Sequence, residues 1–90
     1  MTATAIIRHR VADFDAWKAG FDAAAGFRAA AGMTAAQIYT DATDGQQVTV
    51  VAEFDSIAHA QSHLQDPQLA EKMKALGVLE QPQAQFLRAR

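Results

Sequence analysis

Four side chains in this sequence stand where they could move a proton or hold an anion: His9, Arg28, His59 and His63. Arg28 is the least ordinary of them. At roughly 100° per residue on a helix, Phe14, Trp17, Phe21 and Arg28 fall within one narrow arc flanked by Ala24 and Ala25. An arginine thus sits near the centre of an apolar stripe. A buried guanidinium is costly unless paired, so it calls for a carboxylate, backbone carbonyls or an anionic ligand. The plainer reading is a side chain that runs past the helix end or pairs with Glu53 or an Asp. His9 shares a strand face with Ile7 and Val11. A histidine there can act as general acid or base near neutral pH, or serve as a core-edge residue bonded to backbone.

His59 and His63 are one helical turn apart, a spacing that can bind a metal. There is no third ligand at a recognisable spacing, so a solvated or half-buried pair is the simpler reading and no metal is expected. His63 flanks the apolar residues Ile57, Ala60 and Leu64, and it alone of the two is placed to face a pocket. Trp17, Phe21, Tyr39 and Phe54 are candidate ligand-binding aromatics, with plain core packing as the alternative.

These residues need elements to hold them. Residues 4–10 read as a strand, with Ile7 and His9 on one face and Ile6, Arg8 and Arg10 on the other. Asp13 is an N-cap for a helix from about Phe14 to Ala31, which Gly32 ends. Residues 33–40 form a second strand. The stretch DATDG, with its Asp44-Gly45 pair, marks a hairpin into a third strand at residues 47–54. There Val48, Val50, Ala52 and Phe54 share one face, and Thr49, Val51 and Glu53 the other. Asp55 or Ser56 caps a second helical region from about Ile57. Asp66-Pro67 interrupts it, with Pro67 as the first residue of a new helix that runs to Leu76 and ends at Gly77. Residues 83–88 give a last strand.

The order strand, helix, strand, strand, helix, strand predicts an α+β, ferredoxin-like βαββαβ domain spanning residues 1–90. Its four-stranded antiparallel sheet carries the helices on one face. The opposite face is left bare, and the third strand is fairly apolar on both sides, which predicts a homodimer. His9 sits near the start of the first helix and Arg28 near its far end, about 20 Å away at 1.5 Å rise per residue. Arg28 and His63 are therefore the better pair to act together. A net charge of −2 argues against nucleic acid as a partner. Cysteine is absent, which removes disulfides and thiolate chemistry. No stretch reads as a membrane span or signal peptide, so neither a membrane partner nor secretion is expected and the cytoplasm is the default location. Phosphate-loop and nucleophile-elbow patterns are missing too.

RHRVADFDAWKAGFD, then Arg28 and Gly32, then VVAEFDSIAHAQSHLQDPQLAEKMKALGV, resemble the dimeric α/β-barrel superfamily. Within it they are most similar to antibiotic-biosynthesis-monooxygenase-like and small cyclase-like proteins. The resemblance covers the whole chain. It implies a dimer, a pocket between helices and sheet, and a usual Arg-His pair at residues 8 and 9. One departure matters. The haem-degrading branch and the quinone-forming monooxygenases rely on an Asn with a Trp, and this sequence contains no asparagine. The expected function is a cofactor-independent cyclase, isomerase or monooxygenase type of enzyme, or a binding protein, for a small apolar aromatic or polyketide-like molecule. His9, His63 and Arg28 would be catalytic, and no cofactor is expected. The rival is a non-enzymatic dimeric structural or stress-related module, in which the same residues stabilise the fold and the core is filled.

Overall fold

A computed structural model describes residues 2–90. Its elements are β1 (Ala3–Arg10), α1 (Phe14–Ala23), α2 (Ala25–Ala30), β2 (Met33–Thr40), β3 (Gln47–Phe54), α3 (Ile57–Gln65), α4 (Pro67–Ala75) and β4 (Gln83–Leu87). The strands form one antiparallel sheet in the order β2-β3-β1-β4. The two central strands are the ones whose apolar alternation is cleanest. Ala3, Ala5, Ile7, His9 and Val11 point to one face of β1, and Val48, Val50, Ala52 and Phe54 to the same face of β3; all are buried. The helices cover that face through Trp17, Ala60 and His63.

Local chemistry sets the helix ends where expected. Asp13 caps α1 by accepting from the Asp15 and Ala16 amides. Ser56, not Asp55, caps α3 by accepting from His59. Asp66 closes α3 and caps α4, with Pro67 at its first turn. Gly32 and Gly77 follow α2 and α4 at positive φ, a conformation that favours glycine.

One expectation needs correction, and two local details go beyond what was expected. The helix predicted from Phe14 to Ala31 is two helices, broken at Ala24. The Phe21 carbonyl there accepts from the Ala24 amide and from the Arg28 guanidinium, which turns the chain out of regular α geometry. The Asp44-Gly45 pair does mark the hairpin, but Gly45 has no positive φ, so this is not a two-residue type I′ turn. A longer loop closes instead through Asp41, which accepts from the amide and hydroxyl of Thr43, and through an Arg10–Asp44 ion pair at 2.6 Å. The other detail is in β2, which spans residues 33–40 as expected. The pairing of β2 with β3 slips between Met33 and Ala35, a bulge that leaves Thr34 extra. Met33 and Ile38 therefore both face the helices, and Tyr39 falls on the open face of the sheet.

Candidate functional site

The cavity between helices and sheet is built on β1 and β3. Ile7, His9 and Val50 form its floor, and Trp17, Phe21, Ala24, Phe27 and Arg28 form the wall from α1 and α2. His63 and Leu64 come from α3, and Lys72, Met73 and Leu76 from the α4 side. Its volume is about 60 Å³.

A row of stacked groups crosses this wall. The Arg28 guanidinium lies 3.5 Å from the Phe21 ring centre. Phe21 stacks on Trp17 at 5.1 Å, and the edge of Trp17 meets His9 at 5.4 Å. His9 and Arg28 line one cavity, yet two aromatic rings separate them, so they do not meet at a single atom. Across the break at Ala24, Arg28 reaches back seven residues to Phe21. Arg28 is half-buried, and burial lowers its pKa from the usual arginine value. Its partners are a backbone carbonyl and an aromatic face, not Glu53 or an Asp.

His9 and His63 are 2% and 4% exposed. Their Nδ1 atoms are buried without a hydrogen-bond partner among the described residues. Burial is the largest cause lowering both pKa values below the usual histidine value. For His63 the nearby Asp66 opposes that shift and Arg28 adds to it, which places Arg28 and His63 within electrostatic reach of each other. His63 lies between Phe27 and Phe54, with ring centres 5.6 and 5.7 Å away. Two imidazoles thus share a largely apolar space, His63 with no partner at Nδ1 and His9 with its own backbone carbonyl close enough to oppose the shift. Buried polar atoms are normally bonded, so such orphans are the mark of a water or ligand site.

The other candidates divide. Trp17 and Phe21 line the cavity. Phe54 is fully buried behind His63 and is core. Tyr39, expected to bind ligand, is 52% exposed on the far face of the sheet, where its hydroxyl donates to Gln37. The bulge at Thr34 is the reason. His59 is exposed and bound to Asp55 at 2.6 Å, so only His63 of the pair faces inward. Among the described residues no group of three or more potential ligands is arranged for a metal, and no helix is long and apolar enough to cross a membrane. Phe27 and Lys72 were not singled out in the sequence. Phe27 adjoins Arg28, but its position off the main apolar arc concealed it. Lys72 stands over the Phe27 ring at 4.9 Å. A larger groove of about 450 Å³ runs between α3, α4 and β4 and shares Leu64, Leu69 and Met73 with the cavity.

A βαββαβ chain with this sheet order and a helix-covered cavity has the fold of solved proteins named as antibiotic biosynthesis monooxygenases. Particular solved structures make the likeness concrete. A Bordetella bronchiseptica protein provisionally named an antibiotic biosynthesis monooxygenase superposes with a TM-score of 0.79 at 17% identity, covering 99% of this chain and 97% of that one. SnoaB, a cofactor-independent oxygenase from Streptomyces nogalater, gives 0.76 at 18% identity, over 99% of this chain and 93% of its own. ActVA-Orf6, a Streptomyces coelicolor monooxygenase in complex with nanaomycin D, gives 0.64 at 23% identity, over 98% and 87%. No family model matches the sequence, and no curated protein matches it. At these identities the likeness is one of fold.

Proposed function

We propose that this protein is a cofactor-independent enzyme of the monooxygenase, isomerase or cyclase type that acts on a small aromatic or polyketide-like molecule, and that it works as a homodimer. One observation carries the reading: two buried histidines with unpartnered Nδ1 atoms open on the same apolar cavity as Trp17, Phe21 and Arg28. His63, neutral at pH 7, takes a proton from an activated C–H or O–H of the ligand. Arg28 holds the oxyanion that results. An isomerase or cyclase then returns the proton elsewhere on the carbon skeleton. In an oxygenase the carbanion reduces dioxygen: a CH₂ becomes C=O, and the second oxygen leaves as water. SnoaB and ActVA-Orf6 are oxygenases on the same fold, which favours the last of these. Their kind of chemistry here must run without asparagine, which this chain lacks.

The cavity's volume of about 60 Å³ favours a second reading, the non-enzymatic dimeric module, because pockets for drug-sized ligands span roughly 300–1,000 Å³. The enzyme reading requires Leu64, Leu69 or Met73 to swing aside and join the cavity to the neighbouring groove. Thermal stabilisation by hydroxylated anthrones and naphthols separates the two readings. At a hundredfold excess over Kd a ligand adds about 2.7 kcal/mol, a melting shift on the order of 10 °C for a domain of this size. We expect Arg28→Ala and His9→Ala to reduce that shift and His63→Gln to abolish turnover. Ligand shifts untouched by all three changes would remove the site assignment, and no shift with any compound would favour the module.

A further inference from the structure

Every ionisable side chain on the wall of the cavity is a base. His9 and His63 lie inside, Arg28 and Lys72 contribute at its edge, and among the described residues no Asp or Glu lines it. The whole chain carries a net charge of −2, so this lining runs against the protein's own average. Both cations lie over rings, Arg28 on Phe21 and Lys72 on Phe27. An aromatic face attracts a cation but leaves its charge unneutralised. Among the described residues neither cation has an ion-pair partner. Asp22, the acid whose charge Arg28 feels, is bound to Lys18 at 2.7 Å. Arg28 gives the Phe21 carbonyl a single N–H, and a guanidinium has five.

We propose that the ligand is an anion in its resting state, an aromatic or polyketide-derived carboxylate, and that Lys72 is the residue that selects for it together with Arg28. The inference rests on reading the cavity as a ligand site. The carboxylate lies at the edge between the two cations, and the ring passes inward between Phe21 and Phe27 toward His63. Arg28 offers the planar donor set that a carboxylate fits, and Lys72 adds a mobile point charge. A ring needs more than the present volume of about 60 Å³, so its entry requires the same displacement of Leu64, Leu69 or Met73 as the cavity reading.

The test compares benzoate and 2-naphthoate with benzamide and 2-naphthamide by isothermal titration calorimetry, with the imidazole resonances of His63 reporting where they bind. The acids are expected to bind about tenfold more tightly than the amides at low salt, the scale of a hydrogen bond to a charged group. Added salt should narrow the gap. Lys72→Met keeps the stem over Phe27 and should weaken the acids about threefold, the scale of an exposed ion pair, with no effect on the amides. Lys72→Glu should erase the preference. Amides binding as tightly as acids, or Lys72→Met weakening both alike, would overturn the inference and leave the cavity reading intact. If neither acids nor amides bind, the cavity reading falls and the inference with it.

Discussion

At the scale of single residues, the two buried histidines make stability depend on pH in a defined direction. Both have folded-state pKa values lowered chiefly by burial. In the unfolded chain each titrates near about 6.5. Above pH about 7 both states carry neutral imidazoles and these groups leave stability unchanged. Below about 6.5 the unfolded chain takes up protons that the folded protein cannot, so stability falls as pH falls. The loss is about 1.4 kcal/mol per pH unit for each histidine until its folded pKa is reached. Urea denaturation between pH 5 and 8 should show the slope, and His63→Gln should halve it. An unchanged slope in that variant would mean that His63 titrates alike in the folded and unfolded chain, so that burial does not lower its pKa. Residue type and spacing made much of this legible. The face shared by Ile7, His9 and Val11 placed His9 under the helices, and the apolar flank of His63 separated it from His59. The fate of Tyr39 was not legible, because a one-residue bulge at Thr34 reverses the faces of everything after it and leaves no mark in the alternation.

Elements were readable wherever a local signal fixes an end, and less so where a side chain acts at long range. Asp66-Pro67 divides α3 from α4 because proline cannot donate within a helix. The break between α1 and α2 follows from Arg28 reaching the Phe21 carbonyl, a contact that helix propensity in an alanine-rich stretch cannot reveal. The approach of α1 to α4 is another such contact. A Cβ at Gly20 would collide with the Leu76 side chain, which also lines the cavity. Gly20→Ala therefore sets two effects against each other. Alanine favours the helix by about 1 kcal/mol, and displacing Leu76 costs about 1–3 kcal/mol. Stability should change by no more than about 2 kcal/mol, whereas the cavity must change shape. We expect the variant to fold and to lose most of the ligand-induced melting shift. Full ligand response in a folded Gly20→Ala protein would place the binding surface away from Leu76.

The molecule as a whole has one sheet face covered by helices and one that is not. On the open face Ile6 of β1 lies opposite Val51 of β3, and Thr4 lies opposite Glu53 and accompanies Leu87 of β4. Tyr39 projects from the same side. Around these stand Arg8, Gln37, Thr49, Gln83 and Gln85. This is a patch with an apolar centre and a polar rim, the makeup of a surface that meets a partner. The proposed homodimer places a second copy of the sheet against it. Isologous pairing doubles every contact, so one substitution acts twice. Val51→Glu puts a carboxylate at the middle of the patch and beside Glu53 on the same strand. Its cost to an isolated chain is small, because Val51 is only half-buried there. In a dimer it buries two unpaired charges, a penalty of several kcal/mol. Sedimentation equilibrium should give a dimer for the native protein at micromolar concentration and a folded monomer for Val51→Glu. A native monomer would leave the open face without a partner. A dimer that survives Val51→Glu with unchanged affinity would move the interface elsewhere, with the edge strand β4 and the exposed Leu79 as the next surface to probe.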